Sequence, residues 1–133
     1  MASRIKAIGA YRPRVEQGNT VQRAELIRAL SRATGLVEGS VDQVIKELRD
    51  QIIEFNRAGR GVKVEGLGTY APNISLDGTF DLQYRADTAF GNGLNIPGIF
   101  SGTILNREHI GKTADELVTK WNTEHPEDLV AAE

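Results

Sequence analysis

The chain has 133 residues, of which 40% are hydrophobic and 26% are charged, proportions that are ordinary for one globular domain. It contains no cysteine, which excludes disulfides and thiolate chemistry. No apolar run approaches the ~20 residues that a membrane-spanning helix needs, and no secretory leader is recognisable. We therefore expect a cytoplasmic protein without a membrane partner.

Charge is distributed unevenly along the chain. The formal net charge is −2 and the sequence pI is about 5.7, values that by themselves argue against a polyanionic partner. Residues 1–63, however, hold 12 Lys and Arg against 7 Asp and Glu, whereas residues 64–133 hold 4 against 11. This asymmetry indicates either a basic face opposite an acidic one or an ordinary scatter of solvated charges.

Residues 4–18 alternate loosely between apolar and basic side chains. The pattern predicts an extended arm or an edge strand that is broken at Pro13, because proline cannot donate a ladder hydrogen bond. Four cations lie in this segment: Arg4, Lys6, Arg12 and Arg14. They are suited to lie along a phosphate backbone, and they are equally suited to protect an edge strand from aggregation.

The next segment predicts an amphipathic helix that begins at a cap on Asn19 or Thr20 and ends at Gly35 as a left-handed cap. Its apolar face is formed at three- and four-residue spacing by Leu26, Ile27, Leu30 and Ala33. The opposite face carries Arg23, Arg28 and Arg32.

A second amphipathic helix is predicted to begin between positions 38 and 41, with a capping box of Ser40 and Gln43, and to end at Gly59. Its apolar stripe consists of Val41, Val44, Ile45, Leu48, Ile52 and Phe55. Ile53 lies off this stripe, so the helix is apolar on two sides. The surplus predicts either a partner helix from another subunit or a core formed within one chain.

The stretch Val62–Tyr70 predicts a strand, because β-branched and aromatic residues dominate it. Gly66 and Gly68 interrupt the pattern, and glycine inside a strand marks a bulge, a bend or a close backbone approach. We expect a strand that bends over the two helices. The alternative is a hinge or turn.

Residues 73–85 predict a β-hairpin. Asp77-Gly78 is a strong hairpin signal, because both central residues of a type I′ turn need positive φ. Three apolar residues alternate with polar ones in the returning strand, which predicts one buried and one solvated face. They are Phe80, Leu82 and Tyr84.

The last part of the chain predicts a loop at residues 86–98, a strand at residues 99–105 and a helix. The loop is rich in glycine but lacks the Gly-Lys-Ser/Thr sequence of a phosphate-binding loop. Thr113 and Glu116 form a capping box for the helix, and Pro126 ends it. The helix has one apolar face, formed by Ala114, Leu117, Val118 and Trp121.

No residue pattern in the chain predicts catalysis. The two histidines, His109 and His125, lie beside polar residues that look exposed, and neither has a partner at metal-ligand or triad spacing. No serine lies in a nucleophile elbow. We therefore expect no enzyme activity, no metal, no cofactor and no small-molecule substrate.

The order of motifs from residue 25 to residue 70 resembles the HU and integration host factor family of DNA-binding proteins. The parts are the helix start Glu25-Leu26-Ile27, the helix end Gly35-Leu36 and the strand Gly66-Leu67-Gly68-Thr69-Tyr70. The resemblance implies an α+β, IHF-like fold with two N-terminal helices, an antiparallel sheet with a hairpin and a C-terminal helix. It also implies an intertwined homodimer whose β-ribbon arms reach around duplex DNA in the minor groove and bend it.

The chain departs from the family where the family carries a long, Lys/Arg-rich arm tipped by a proline. Here the hairpin turns early, at Asp77-Gly78, and Arg85 is the only basic residue from position 64 to position 106. Pro97 lies near the expected place but lacks basic flanks. These departures argue against bending by an intercalated proline.

The resemblance divides the chain into three segments: an N-terminal extended strand or arm (1–18), an HU-like domain (19–105) and a C-terminal helical extension with its tail (106–133). It implies a nucleoid-associated, architectural protein that binds duplex DNA largely without sequence specificity, through contacts of Lys and Arg with phosphate. The competing hypothesis is an HU fold kept as a dimerisation or protein-interaction module that has lost DNA binding. The acidic second half and the missing arm favour this alternative.

Eight cations are the predicted DNA contacts: Arg4, Lys6, Arg12, Arg14, Arg23, Arg60, Lys63 and Arg85. The first four substitute for the missing basic arm. Arg23 matches a basic position of the family at the start of its first helix. By analogy, Arg60 and Lys63 lie near the edge of the family's saddle-shaped sheet, and Arg85 lies on it.

Overall fold

The computed structural model describes residues 1–131 and shows an α+β protein built of helices and antiparallel strands, as predicted. The helices are α1 (Arg4–Tyr11), α2 (Arg23–Thr34), α3 (Glu38–Arg57), α4 (Thr88–Leu94) and α5 (Ala114–Glu124). The strands are β1 (Arg14–Val15), β2 (Val62–Val64), β3 (Gly68–Ile74), β4 (Phe80–Ala86) and β5 (Ile104–Leu105). Among the described helices, none is long and apolar enough to cross a membrane.

The chain folds as two compact units. The central unit is Thr20–Phe100, and the terminal unit combines Met1–Asn19 with the residues from Ser101 onward. The central unit contains α2, α3, α4 and a three-stranded sheet in the order β2-β3-β4. The terminal unit contains α1, α5 and the two-stranded sheet β1-β5. The three-segment division stays a prediction, since it follows the family pattern rather than contacts.

Helices α2 and α3 form where the periodicity predicts them. Gly35 ends α2 in the left-handed conformation, at φ 75°, and its N–H donates to a carbonyl one turn earlier at 2.9 Å. Both predicted N-caps were wrong. Helix α2 begins after Gln22 and α3 begins after Val37, and neither side chain makes a capping hydrogen bond. Helix α3 begins at Glu38, within the predicted range, so Ser40 lies inside the helix and does not cap it.

The stretch Val62–Tyr70 is a tight hairpin, so the prediction of one bent strand was wrong. The Leu67 N–H donates to the Val64 carbonyl at 3.0 Å, and β3 returns antiparallel to β2 with Gly68 opposite Val64. Gly66 lies between the strands at φ 84°, a conformation that favours glycine. The glycines therefore mark a turn and a close approach, as the alternative interpretation holds.

The hairpin predicted around Asp77-Gly78 is confirmed, since β3 and β4 pair on either side of it. The turn is not type I′, because Gly78 has a positive φ of 87° and Asp77 does not. The Asp77 carboxylate instead accepts from the Thr79 N–H at 2.9 Å and from the Ser75 hydroxyl at 3.1 Å. These hydrogen bonds, with the Thr79 N–H as the largest cause, lower the pKa of Asp77 and fix the tip.

The glycine-rich segment 86–98 is not a loop throughout, which corrects the prediction. The Asp87 carboxylate accepts from the Ala89 N–H at 2.9 Å and so caps helix α4. The strand predicted at residues 99–105 is confined to β5, which pairs with β1. In this pairing Arg14 lies opposite Leu105.

The predicted extended arm or edge strand was wrong for residues 4–11, which form helix α1, whereas Arg14–Val15 of the same segment do form the strand β1. The Ser3 hydroxyl caps the helix by accepting from the Lys6 N–H at 3.1 Å. Ala7 is fully buried in a small core with Trp121 of α5. Pro13 follows the helix end and does not break a strand.

Helix α5 begins as predicted, at a cap in which the Thr113 hydroxyl accepts from the Glu116 N–H at 3.2 Å. Leu117 and Trp121 of its apolar face are buried, at 4% and 6% exposure. An isolated parallel bridge between Ala2 and Val130 closes the unit beside this helix. The terminal unit is therefore built from the two ends of the described chain.

Candidate functional site

One face of the central sheet carries a row of polar residues across all three strands. Lys63 of β2 lies opposite Thr69 of β3, and Thr69 lies opposite Arg85 of β4. Directly opposite residues of antiparallel strands point to the same face, so the two cations share one surface across two strand spacings, roughly 10 Å. Both are exposed. Within residues 1–131 neither has a carboxylate within 4.0 Å.

The remaining residues of this polar face follow in two further rows, Ala71 opposite Gln83 and Asn73 opposite Asp81. Asp81 is the one acidic residue among the polar-face positions of the paired strands. It lies two rows beyond Arg85, towards the hairpin tip. The cationic end of the face is therefore the end near the β2–β3 turn.

The opposite face of the sheet is apolar and lines a groove of about 1020 Å³ together with helix α3. Its residues include Tyr70, Pro72, Ile74, Phe80 and Leu82 from the sheet and Ile45, Leu48, Ile52 and Ile53 from α3. The predicted alternation along β4 is confirmed by this register, but the predicted burial is not found within one chain. Phe80 is 74% exposed and Leu82 is 51% exposed.

Two tyrosines lie next to the cationic row, and one of them, Tyr70, lines the groove. The Tyr70 and Tyr84 rings lie opposite each other with centroids 4.9 Å apart. The Tyr84 hydroxyl donates to the Leu67 carbonyl at 2.7 Å, which ties β4 to the β2–β3 turn. Desolvation, followed by the charges of Tyr70 and Asp87, raises the pKa of Tyr84. The hydroxyl therefore remains a donor to a higher pH than that of an ordinary tyrosine.

Arg60 lies between α3 and β2, and a side chain of α3 holds its backbone by a hydrogen bond. The Asn56 amide donates to the Arg60 carbonyl at 2.9 Å and to the Tyr70 carbonyl at 3.2 Å. The Arg60 guanidinium lies 5.3 Å from the centre of the Phe55 ring. Arg60 is thus positioned beside the sheet, in the segment that leads directly to Lys63.

Arg23 is engaged within the fold. It forms an ion pair with Asp42 that joins α2 to α3, with Nε 2.7 Å from Oδ1, and Lys46 Nζ lies 3.0 Å from the same carboxylate. The hydrogen bond from Arg23, followed by that from Lys46, lowers the pKa of Asp42 to about 2. Arg23 therefore has a structural partner in addition to its predicted role.

The four predicted cations of the terminal unit fall into two kinds. Arg4 forms an ion pair with Asp115 at 2.6 Å, and Lys6 forms one with Asp128 at 3.2 Å. Arg12 and Arg14 are exposed, and no carboxylate of the described residues lies within 4.0 Å of either. The eight predicted contacts are therefore divided between two units, four in each.

The charge asymmetry of the sequence is not an asymmetry between the units. The terminal unit holds 7 Lys and Arg against 8 Asp and Glu, and the central unit holds 9 against 10. Each unit therefore has a formal charge of −1. Any basic surface must arise from the local arrangement of cations rather than from the net charge of a unit.

His109 is buried, at 1% exposure, although the sequence indicated an exposed side chain. Its Nδ1 lies 3.0 Å from Lys112 Nζ, and its Nε2 has no hydrogen-bond partner among the described residues. Tyr11 contacts the imidazole edge-on at 5.7 Å between ring centres. The described residues include no group of three or more His, Cys, Asp and Glu able to hold a metal.

A family model described as an HU domain fused to a wHTH, Ig or glycine-rich motif (HU-HIG) matches residues 6–86, more than half of the chain. The chain belongs to the HU-HIG family. The match begins in helix α1 and ends at the last residue of β4, so this HU-HIG protein carries seven of the eight predicted contacts within the matched segment. Arg4 is the exception.

No curated protein sequence matches this HU-HIG chain. Among solved structures, a mutant HU protein from Thermotoga maritima resembles it at 15% sequence identity and a TM-score of 0.48. That similarity covers 56% of the present chain and 99% of the Thermotoga chain.

Proposed function

We propose that this HU-HIG protein is an architectural, nucleoid-associated protein of the cytoplasm that binds duplex DNA largely without sequence specificity. The observation that carries the proposal is the row Lys63–Thr69–Arg85, which presents two cations on one exposed face of the sheet. Phosphate contacts position a protein on DNA without reading its sequence. Lys and Arg supply such contacts, and the Thr69 hydroxyl is a suitable further donor.

The opposite face of the sheet supports a homodimer. Ile27 and Val41 are the buried hydrophobic residues that the structure shows in the described central unit. In contrast, large apolar residues around the groove, such as Leu48, Ile74 and Phe80, are between 38% and 74% exposed. Monomeric proteins rarely leave contiguous apolar patches of this kind in water. A second copy that fills the groove would bury this face and bring two cationic rows into one assembly.

The test of DNA binding is a fluorescence-polarisation titration of a labelled duplex of arbitrary sequence at several salt concentrations. We expect the double variant K63Q/R85Q to bind more weakly than the parent chain. Each phosphate contact that is lost should lower the slope of log affinity against log salt by about 0.9, so the pair should lower it by roughly 2.

The matched control is R28Q/R32Q, which removes the same charge from exposed positions on helix α2. It should keep the parent slope and most of the affinity. If K63Q/R85Q binds as tightly as the parent chain, the sheet face is not the DNA surface.

A second candidate function is a dimerisation or protein-interaction module that has lost DNA binding. The formal charge of −1 on each unit and the carboxylate of Asp81 on the polar face favour it. This candidate predicts a dimer in sedimentation analysis and no retention of duplex DNA at low salt and tens of micromolar protein.

A further inference from the structure

The two-stranded sheet of the terminal unit brings Arg107 close in the fold to Arg12 and Arg14, two of the DNA contacts predicted from the sequence. Arg14 of β1 lies opposite Leu105 of β5, and Arg107 follows two residues after Leu105. The Asn106 side-chain amide donates to the Arg12 carbonyl at 3.1 Å. The backbone segments that carry Arg12, Arg14 and Arg107 therefore touch, although more than ninety positions separate them along the chain.

Asn106 joins the two segments by hydrogen bonds, and its own backbone conformation is an unfavourable one. It has a φ of 58° and is the one non-glycine residue with positive φ in the described chain. The left-handed conformation costs an L-residue roughly 1–2 kcal/mol, and Asn tolerates it best. Besides its bond to Arg12, the Asn106 amide donates to the Ala10 carbonyl at 3.1 Å. Strain that the surrounding structure holds in place is found preferentially at functional positions.

Four of the seven Lys and Arg residues of the terminal unit have no acidic partner among the described residues: the three arginines and Lys112, whose Nζ lies 3.0 Å from His109 Nδ1. Lys120 lies 3.5 Å from Glu124, and Arg4 and Lys6 are paired as described above. All three arginines are exposed, and within residues 1–131 no carboxylate lies within 4.0 Å of any of them. The unit therefore pairs Arg4, Lys6 and Lys120 with carboxylates and leaves the three arginines exposed without one.

Fold stability does not account for the group. Arg12 follows the C-terminus of α1, where the helix dipole favours a cation, but this effect ends within the last turn and explains one arginine. Arg107 begins the short 3-10 helix Arg107–His109 that follows β5, and like charges on adjacent segments repel one another. The nearby acidic residues do not relieve the repulsion, because the Glu108 carboxylate faces His109 Nε2, at 3.5 Å, and Glu16 makes no ion pair.

We propose that Arg12, Arg14 and Arg107, the arginine ribbon, form a second DNA-binding surface that contacts backbone phosphates independently of the central sheet. The guanidinium group presents a planar fork that matches phosphate oxygens in bidentate geometry. Because the three guanidinium groups are exposed along a surface and do not enclose a cavity, they suit the successive phosphates of a nucleic acid better than a single small anion. That the ligand is DNA rests on the proposed function. Arg12 and Arg14 are contacts predicted from the sequence, whereas Arg107 and the union of the three in a surface separate from the sheet are new.

The experiment compares three double variants of the full chain, each of which removes two positive charges. R14Q/R107Q alters the ribbon, K63Q/R85Q alters the sheet face, and R28Q/R32Q is the control on α2. Binding of a labelled duplex is followed by fluorescence polarisation from low to moderate salt, after circular dichroism has shown equal helix content. We expect R14Q/R107Q to weaken binding and to lower the salt slope by roughly 2, with the control unchanged.

A further variant tests the ribbon without removing an arginine. Glu16 lies two residues after Arg14, so E16Q removes a negative charge that repels phosphate. We expect E16Q to strengthen DNA binding and R107K, which keeps the charge but loses the fork, to weaken it less than R107Q does.

The outcomes separate this inference from the proposed function. Loss of binding in K63Q/R85Q with full binding in R14Q/R107Q would overturn the arginine ribbon and keep the sheet face. The reverse result would keep the ribbon and overturn the sheet face. Equal weakening in R28Q/R32Q would show a general charge effect and overturn the ribbon. A parent chain that retains no DNA at low salt would overturn both surfaces.

Discussion

Gly68 allows the third strand to approach the fourth. Its φ is 149°, a region that side chains rarely adopt, and a Cβ at this position would collide with the Arg85 carbonyl oxygen. The same Cβ would lie 2.8 Å from Cε1 of Tyr84. The glycine thus keeps Lys63, Thr69 and Arg85 in one row, because the neighbouring backbones pair without a side chain between them.

We expect Gly68→Ala to destabilise the fold by about 3 kcal/mol, since backbone strain and a steric clash with backbone act together. Gly66→Ala is the matched control. Gly66 also has positive φ, at 84°, but nothing lies within 4 Å of the added Cβ, so its cost should stay near 1–2 kcal/mol. Chemical denaturation of the two variants measures the difference. Equal destabilisation would show that the clash at Gly68 is relieved by a small backbone shift.

Among single residues, the sequence could supply the candidate cations but not their partners. Lys63 and Arg85 are 22 positions apart, and they share a row because the β2–β3 and β3–β4 turns together set the register. Arg4 and Lys6 resemble Arg12 and Arg14 in the sequence, yet their partners Asp115 and Asp128 come from the far end of the chain. Such pairings are decided by tertiary structure, which local patterns do not contain.

One of the hydrogen bonds that join helices α1 and α5 is sensitive to alkaline pH. The Tyr11 hydroxyl donates to the Glu124 carboxylate. This bond, followed by desolvation and the charge of Glu124, raises the pKa of Tyr11 from 10.0 to about 12, and the same bond lowers the pKa of Glu124. Because the pKa of Tyr11 is higher in the folded state, its contribution is complete below pH ~10 and is lost as the pH rises through about 12.

We expect Tyr11→Phe to lower the thermal midpoint at neutral pH, because the Glu124 carboxylate loses its donor. Absorbance titration of tyrosinate should show a step near pH 12 in the parent chain that is missing in Tyr11→Phe. Tyr70→Phe is the control and should keep that step. If Tyr11→Phe instead loses its absorbance amplitude near pH 10, the ordinary range of a tyrosine, the hydrogen bond does not form in solution.

Secondary structure was predictable where an element carries its own pattern. Helices α2, α3 and α5 have apolar residues at helical spacing, and the β3–β4 hairpin has alternation and a turn sequence. Helix α1 was missed because it has eight residues and relies on burial of Ala7 beside Trp121, more than a hundred positions away. Helix α4 was missed because two of its seven residues are glycine and its signal is a single Asp87 cap.

The whole molecule is expected to be a dimer, since the groove beside α3 leaves too much apolar surface in water for a lone chain. We expect Leu48→Glu to raise the dimer Kd roughly tenfold or more, because a carboxylate in an apolar interface must be desolvated without a partner. Sedimentation equilibrium over a range of protein concentrations measures the change.

The control for dimerisation is Ile5→Glu, which places the same charge at a residue of the terminal unit that is 85% exposed and lies outside the groove. It should leave the dimer Kd unchanged. A parent chain that sediments as a monomer at high concentration would contradict the assignment of the groove to a second copy.

The bridge between Ala2 and Val130 has a consequence for the order of events during synthesis. Residues 1–19 emerge from the ribosome before the central unit, whereas their packing partners emerge after it. Domains generally fold as units during translation, so the nascent N-terminal segment must wait while the central unit acquires its structure. Arg12 and Arg14 join Arg107 in one unit only after the residues that follow the central unit have been translated.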